Sequence, residues 1–335
     1  MSSPPWVAAE PLLQALQEHV SLLVVIAMTQ HSYNCVRYIE RKSVLMNPQS
    51  SGLILGAIGV LIFSLTMPMT KMAMAGDVLS PWFVWAGRAV LAALAGIAYL
   101  LATRAPRPPR EAWLPLAGAT AGIVFGWPLL NTLALQTVPS SHAAVVNGIL
   151  PLSTAVIGAW LNRESLSRPF WWCAIAGTVL VCGYAWVRVH GELHSADILM
   201  LVGVLLGGLG YASGAIATRY LTGPQAISWA LILGLPGTLA LAAWSAPSHP
   251  EAASISSWLA FAYLGLMSQW IGFFFWYRGL ALGGIARVSQ VQLMQLFFTL
   301  AFAALLLRES IEPAMFVVAL LTVALIAIGR KAGRR

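Results

Sequence analysis

The sequence predicts an all-α polytopic membrane protein, with ten transmembrane helices arranged as two inverted five-helix repeats. Three observations carry that expectation. Only 9% of the residues are charged and 59% are hydrophobic, with a mean hydropathy of +0.78, whereas soluble domains carry about 25% charged residues. Ten apolar runs follow one another between Gly52 and Ile328, each near the length of about 20 residues that a helix needs to cross the hydrocarbon core. The phrase Arg-Glu-Ser occurs twice, at Arg163-Glu164-Ser165 and Arg308-Glu309-Ser310, an offset of 145. Each copy closes one apolar run and precedes another.

The runs near 52–74, 80–102, 113–136, 142–161 and 169–188 make up a first repeat over 51–190. Those near 198–220, 226–245, 257–280, 286–307 and 313–330 make up a second over 191–335, which ends in a basic tail. Residues 1–50 do not fit this pattern. Val20 to Met28 is apolar but too short to span, and Glu10 and Glu18 stand where a secretory signal would carry positive charge. The expectation is that translation begins at Met46 and that residues 1–45 are not part of the native protein. A helix lying in the membrane interface is the alternative.

Charge sets the orientation. With both termini cytoplasmic, fifteen of the nineteen Lys and Arg residues fall on the cytoplasmic side, among them Arg104, Arg107, Arg110, Arg219 and Arg278. Lys71, Arg188 and Arg308 fall outside, and Arg88 lies within a run. This is the positive-inside pattern, and it predicts a multi-pass protein of the cytoplasmic membrane. The net charge of +8 is thereby explained without nucleic acid, and no basic patch is interleaved with aromatics.

At an offset of 145, Asn147 falls on Gln292, Pro151 on Leu296, Leu161 on Leu306 and Glu164 on Glu309. In the first run of each half the offset is 148, so that Gly59 meets Gly207 and Phe63 meets Tyr211. Five runs per half is an odd number, so the second half enters the membrane from the opposite side. Inverted repeats place a solute site near the midplane between the halves and work by alternating access. Glycines at Gly118, Gly122 and Gly126, at Gly203, Gly207, Gly210 and Gly214, and at Gly52 and Gly56 predict close helix crossings.

These residues resemble the EamA branch of the drug/metabolite transporter superfamily from about Gly52 to Gly329. The resemblance is carried by Leu130-Asn131-Thr132-Leu133-Ala134-Leu135, Pro151, the Arg163-Glu164-Ser165 ending and Arg88 in the second run. It continues in Tyr263-Leu264-Gly265-Leu266, Trp276, Ala281-Leu282 and Glu309. It implies two packed inverted five-helix bundles and the movement of small metabolites, often outward, with amino acids and related compounds frequent. One departure is Leu296, where the family commonly repeats the proline represented by Pro151. The second half is then expected to be stiffer, or to bend elsewhere.

Polar groups inside apolar runs face the bundle interior or a watery cavity, so each is a candidate. Arg88 lies roughly 12 Å along its helix from the outer end. It reads as an anchor for a carboxylate or phosphate, or as a side chain snorkelling to the surface or bonding a neighbour's carbonyls. Ser289, Gln292 and Gln295 form a stripe at three-residue spacing, with Gln290 pointing elsewhere; Gln292 and Asn147 are expected to flank the pseudo-symmetry axis. Amides suit zwitterionic or hydroxylated solutes, since they donate and accept; the bland reading is interhelical glue. Pro68, with Ser64, Thr66 and Thr70 around it, and Trp127-Pro128 with Asn131 mark kinks, where hydroxyls re-satisfy freed carbonyls or line the cavity. Pro151 is a third bend. Tyr211, Trp270, Phe273 and Trp276 read as packing or as cavity wall. Trp82, Trp85, Trp171 and Trp172, near run ends, read as interfacial belt residues.

No Asp or Glu lies inside a run, so a carboxylate proton relay is not expected. Glu164 and Glu309 read as structural helix ends paired with their neighbouring arginines. His142 is the histidine placed to titrate near neutral pH, which leaves facilitated export or weak proton coupling through His142. Cys173 and Cys182 lie about half a turn apart around one helix and read as small buried hydrophobes; no metal or cofactor is expected. An enzyme would need a nucleophile with a base, yet Ser141 and His142 are adjacent and point apart. The expected function is therefore secondary transport of a small metabolite, an amino acid or related compound, with export the expected direction. A channel-like permease is the alternative, though no ring of charge marks a filter. The partners are the solute and membrane lipid, with a homodimer left open.

Overall fold

The computed structural model describes residues 48–138, 143, 146–163, 165–188, 196–307 and 313–332. The N-terminal tail through residue 47, and with it the Met46 start, lies outside the described residues. The described part is helical throughout, and no strand occurs among the described residues. Seven helical stretches are long and apolar enough to cross a membrane: Pro48–Ala73, Pro81–Ala102, Arg110–Ala134, Ala196–Ala217, Gly223–Trp244, Ile255–Gly283 and Ile285–Phe302. Further apolar helices among the described residues are Leu150–Asn162, Arg168–Arg188 and Pro313–Ala332.

Local chemistry sets the helix ends. Ser80 accepts from the Phe83 amide at 3.1 Å and Pro81 follows at the first helical position, where its missing N–H costs nothing. Thr222 and Gln225 form a reciprocal capping box ahead of Gly223–Trp244. Ser254 caps Ile255–Ala262 through the Ser257 amide at 3.1 Å. At the other end of a helix, Arg163 adopts φ 52° and stops Leu150–Asn162.

Several runs that read as single helices are interrupted, and each interruption has a cause. The first breaks at a turn on Leu65, dividing Pro48–Ser64 from Thr66–Ala73, because Pro68 cannot donate to the Ser64 carbonyl. The third passes from Trp113–Ala119 through a π-helical segment, Thr120–Gly126, into Trp127–Ala134. The eighth does the same, with Ile255–Ala262, a π-helical Tyr263–Ile271 and Gly272–Gly283. The two π-helical segments occupy repeat-related positions. The fourth run turns at 148–149 before Leu150–Asn162, where Pro151 withholds the donor for the Asn147 carbonyl. The ninth lacks that proline yet is interrupted at the equivalent place: Ile285–Ser289 and Gln295–Leu307 are joined by a 3-10 segment, Gln290–Met294, and mid-helix 3-10 stretches mark hinges.

Packing runs between the halves. Pro48–Ser64 lies along Gly272–Gly283, and the repeat-related pair, Ala196–Ala217 with the Trp113–Ala134 stretch, does the same. Pro81–Ala102 packs on Gly223–Trp244, Leu150–Asn162 on Ile285–Ser289, and Arg168–Arg188 on Pro313–Ala332. Exchanging the halves maps this pattern onto itself. Glycine permits the two closest crossings: a Cβ on Gly52 would come within 2.5 Å of the Gly283 amide nitrogen, and one on Gly210 within 2.9 Å of the Gly122 Cα. In lipid, where no hydrophobic effect drives helices together, such backbone approach supplies the contact.

Candidate functional site

The broken helices meet around polar side chains from the opposite half. At the Leu65 break, three successive carbonyls of the first run are covered. Tyr263 donates its hydroxyl to the Ile62 carbonyl at 2.8 Å, Gln295 its Nε2 to Phe63 at 3.4 Å, and Thr299 its Oγ1 to Ser64 at 2.9 Å. Thr66 and Ser268 share a hydroxyl–hydroxyl bond of 2.8 Å beside them. The nearby hydroxyls singled out from sequence act otherwise: Ser64 and Thr70 each bond the carbonyl four residues back in their own helix. At the second proline, Pro128 leaves the Val124 carbonyl without its amide donor, and Trp85 Nε1 supplies one at 2.9 Å. Gln269 Nε2 reaches the adjacent Ile123 carbonyl at 2.8 Å. Trp85 is 1% exposed, which corrects its reading as an interfacial belt residue. The indole is held inside by the carbonyl that proline frees. Trp82 and Trp172, by contrast, are exposed.

A narrow cavity opens roughly midway along the bundle, lined by Asn147, Gln292, Gln295, Thr299, Met67 and Leu293 among others. It joins the two amides that the repeat register pairs, one from each half. Their surroundings differ. Asn147 is fully engaged: Trp127 Nε1 donates to its Oδ1 at 2.7 Å, and its Nδ2 donates to Asn131 Oδ1 at 2.7 Å and to the Ala143 carbonyl at 2.9 Å. Gln292 is 4% exposed; its Nε2 makes contacts of 3.2 Å to Gln295 Oε1 and 3.5 Å to the Tyr211 hydroxyl. Its Oε1 is buried without a partner among the described residues. A buried acceptor left unpaired costs free energy, so a solute donor there is favoured.

Behind Gln292 stands an aromatic cluster. Tyr211 stacks on Phe63 with centroids 6.3 Å apart and meets Trp276 edge-on at 5.3 Å. Trp276 is fully buried, and its indole N–H has no partner among the described residues. Arg88 lies close enough to the Tyr211 hydroxyl to interact with it electrostatically. The guanidinium is 1% exposed and its Nε has no hydrogen-bond partner among the described residues, so Arg88 does not snorkel to the surface. Tyr211 thus backs the cavity through Gln292 and Trp276 packs on Tyr211, while Arg88 is buried within the bundle.

Other expected site residues lie apart. Trp270 donates to Ser228 Oγ at 3.0 Å and packs on Phe274. Ser289 returns its hydroxyl to the Ala286 carbonyl at 2.9 Å, so it drops out of the polar stripe, while Gln290, 5% exposed, is buried beside it. His142, Glu164 and Glu309 lie outside the described residues. No cluster of three metal-ligating side chains occurs among the described residues. Sequence reading missed Gln269, Tyr263 and Thr299. An in-span amide such as Gln269 was detectable as a rare polar residue in an apolar run, but nothing in its spacing pointed to a carbonyl 146 positions away.

The comparisons with known proteins agree with this architecture. The profile of the EamA-like transporter family matches residues 50–186 and again 194–328. An uncharacterized transporter of Bacillus subtilis (strain 168), YdeK, is 41% identical over 286 residues, covering 85% of this chain and 99% of its own. A solved structure described only as a crystal structure of a protein superposes with a TM-score of 0.63 at 22% identity, over 86% of this chain and 99% of that one, a likeness of fold. A profile matching twice, once in each half, meets a contact pattern that survives exchange of those halves: the chain belongs to the EamA-like transporter family of the drug/metabolite transporter superfamily.

Proposed function

We propose that this membrane transporter carries a small metabolite, an amino acid or related compound, outward across the cytoplasmic membrane by alternating access. Ten crossings in two inverted five-helix halves, with both termini cytoplasmic, follow from the charge pattern and the odd number of runs per half. The observation that carries the reading is the midway cavity, where Asn147 of one half faces Gln292 of the other. A site shared between two halves, beside broken helices, changes shape when the halves rock against each other. Its lining holds amides and a hydroxyl but no formal charge, which suits a solute that is neutral overall. Arg88, buried within the bundle, offers the counter-charge for a carboxylate once the bundle opens.

The driving force in this reading is the solute's own gradient, with weak proton coupling through His142 as the refinement. The test is a toxicity and export screen in cells overproducing the protein, starting with amino acids and their analogues. Proteoliposome counterflow follows, with and without a pH gradient. Saturable counterflow of an exported amino acid is expected; flux that neither saturates nor exchanges would replace the carrier with a channel. Equal pH dependence in wild type and His142→Ala would remove His142 as the coupler.

A further inference from the structure

A second, narrow cavity lies at the end of the bundle where the helices Pro48–Ser64 and Arg168–Arg188 begin. Its polar lining comes from Gln49, Arg287 and Gln290, and its apolar lining includes Leu53, Phe170 and Ile326. Leu293 lines this cavity and the midway cavity alike and is 2% exposed, so the two cavities share a buried side chain. Gln290 is 5% exposed; its Nε2 is turned to the Pro151 carbonyl and Ser289 Oγ, each at 3.5 Å. Its Oε1 is left buried without a partner among the described residues. Arg287 brings the one formal charge in the lining.

We infer that this cavity is a cytoplasmic vestibule with its own binding site for a zwitterion that carries an apolar tail. Arg287 takes the carboxylate, Gln290 Oε1 accepts from the ammonium group, and the tail lies among Leu53, Phe170 and Ile326. The lining agrees, since small-molecule sites are mostly apolar with a few convergent polar groups. Leu293 is the barrier that the solute passes to reach Gln292. It sits on the 3-10 segment Gln290–Met294. Rewinding five such residues into α-helix shortens the segment by about 2.5 Å and turns it by roughly 100°, a change that carries Leu293 off the partition. The inference rests on the amino-acid reading and on the orientation proposed above.

The test uses the full chain in proteoliposomes and detergent, with radiolabelled L-leucine, L-methionine and L-serine as probes. Wild type is expected to bind two molecules of leucine or methionine per chain, and Gln290→Leu one, with transport KM raised about tenfold or more. Serine, lacking the tail, is expected to bind more weakly at the vestibule. An independent readout in otherwise wild-type protein is Cys173, on the vestibule wall, whose maleimide labelling leucine should slow while Cys182 is unaffected. If wild type transports these amino acids but binds one per chain, with Gln290→Leu unchanged and Cys173 unprotected, the vestibular site is overturned and the transport reading stands. If wild type carries none of them, the amino-acid reading falls and this site with it. Native mass spectrometry separates the other source of the same chemistry: phosphatidylethanolamine retained by wild type and lost in Gln290→Leu, without leucine protection of Cys173, would assign the cavity to lipid and overturn the proposal.

Discussion

Thr299 Oγ1 donates to the Ser64 carbonyl at 2.9 Å, across the boundary between the two halves. That carbonyl is the one Pro68 deprives of its amide donor. Tyr263 and Gln295 cover the two carbonyls before it, so the break in the first run is held open by the second half. Around Pro128 the caps come from both halves, Trp85 from the same half and Gln269 from the opposite one. A proline break that survives only while a neighbour caps it can act as a joint: sliding the neighbour exchanges the cap for water or for another carbonyl.

Thr299→Val keeps the shape and removes the donor. It is expected to lower stability by about 0.5–2 kcal/mol, the range for interhelical bonds in membranes, while Thr299→Ser stays near wild type. Reversible unfolding in mixed micelles measures both. Equal stability of Thr299→Val and wild type would mean that the Ser64 carbonyl does not depend on this cap.

Backbone crossings predict a sharper division. Gly52→Ala would press a methyl group against the Gly283 backbone, and Gly122→Ala would meet the Leu206 carbonyl and Gly210. Neither neighbour is a side chain that can turn away, so both variants are expected to lose most folded protein. Gly183 has nothing within 4 Å of an added Cβ, and Gly183→Ala is expected to be neutral or slightly stabilising, since alanine is the better helix former by about 1 kcal/mol. Size-exclusion profiles of fluorescent fusions rank the three; wild-type yield of Gly52→Ala would refute the crossing.

How far the sequence could be read follows the range of each interaction. Apolar runs, the Arg-Glu-Ser register and the glycine spacing are periodic, so the membrane class, the duplication and the close crossings were visible. The pairing of Asn147 with Gln292 came from the same register, and one cavity joins them. Ser289 was assigned to the polar stripe because spacing does not show that its hydroxyl turns back to the Ala286 carbonyl of its own helix. Trp85 was misread because position near a run end does not say which way an indole points; its partner, Val124, lies 39 residues on. The Leu296 departure did not move the interruption: the 3-10 segment Gln290–Met294 covers the positions that the offset of 145 sets against the turn at 148–149.

Arg88 couples stability to function in opposite directions. A fully buried guanidinium without a partner at Nε is an uncompensated desolvation cost. Arg88→Met is therefore expected to raise the thermal midpoint while abolishing transport of carboxylate-bearing solutes. Arg88→Lys keeps the charge but loses bidentate pairing, and is expected to raise KM about tenfold or more with kcat little changed. Thermal melts beside proteoliposome kinetics decide it. A well-folded Arg88→Met that transports at the wild-type rate would remove the anchor role.

Asn147 and Gln292 occupy equivalent places in the two halves yet should respond differently. Asn147→Leu leaves Trp127 Nε1 and Asn131 Oδ1 without the bonds they now make at 2.7 Å, and each buried orphan costs about 1–3 kcal/mol. It is expected to destabilise the fold, with transport falling in step with the amount of folded protein. Gln292→Leu removes an acceptor that is already unpaired, with only longer Nε2 contacts of 3.2 and 3.5 Å to Gln295 and Tyr211, so its stability should fall less than that of Asn147→Leu. Its transport efficiency should nevertheless fall, because the solute loses the acceptor that the fold leaves open. Melting temperature and kcat/KM measured on the same preparations separate the two residues. A Gln292→Leu protein that is stable and has wild-type kcat/KM would show that the open amide oxygen takes no part in solute recognition.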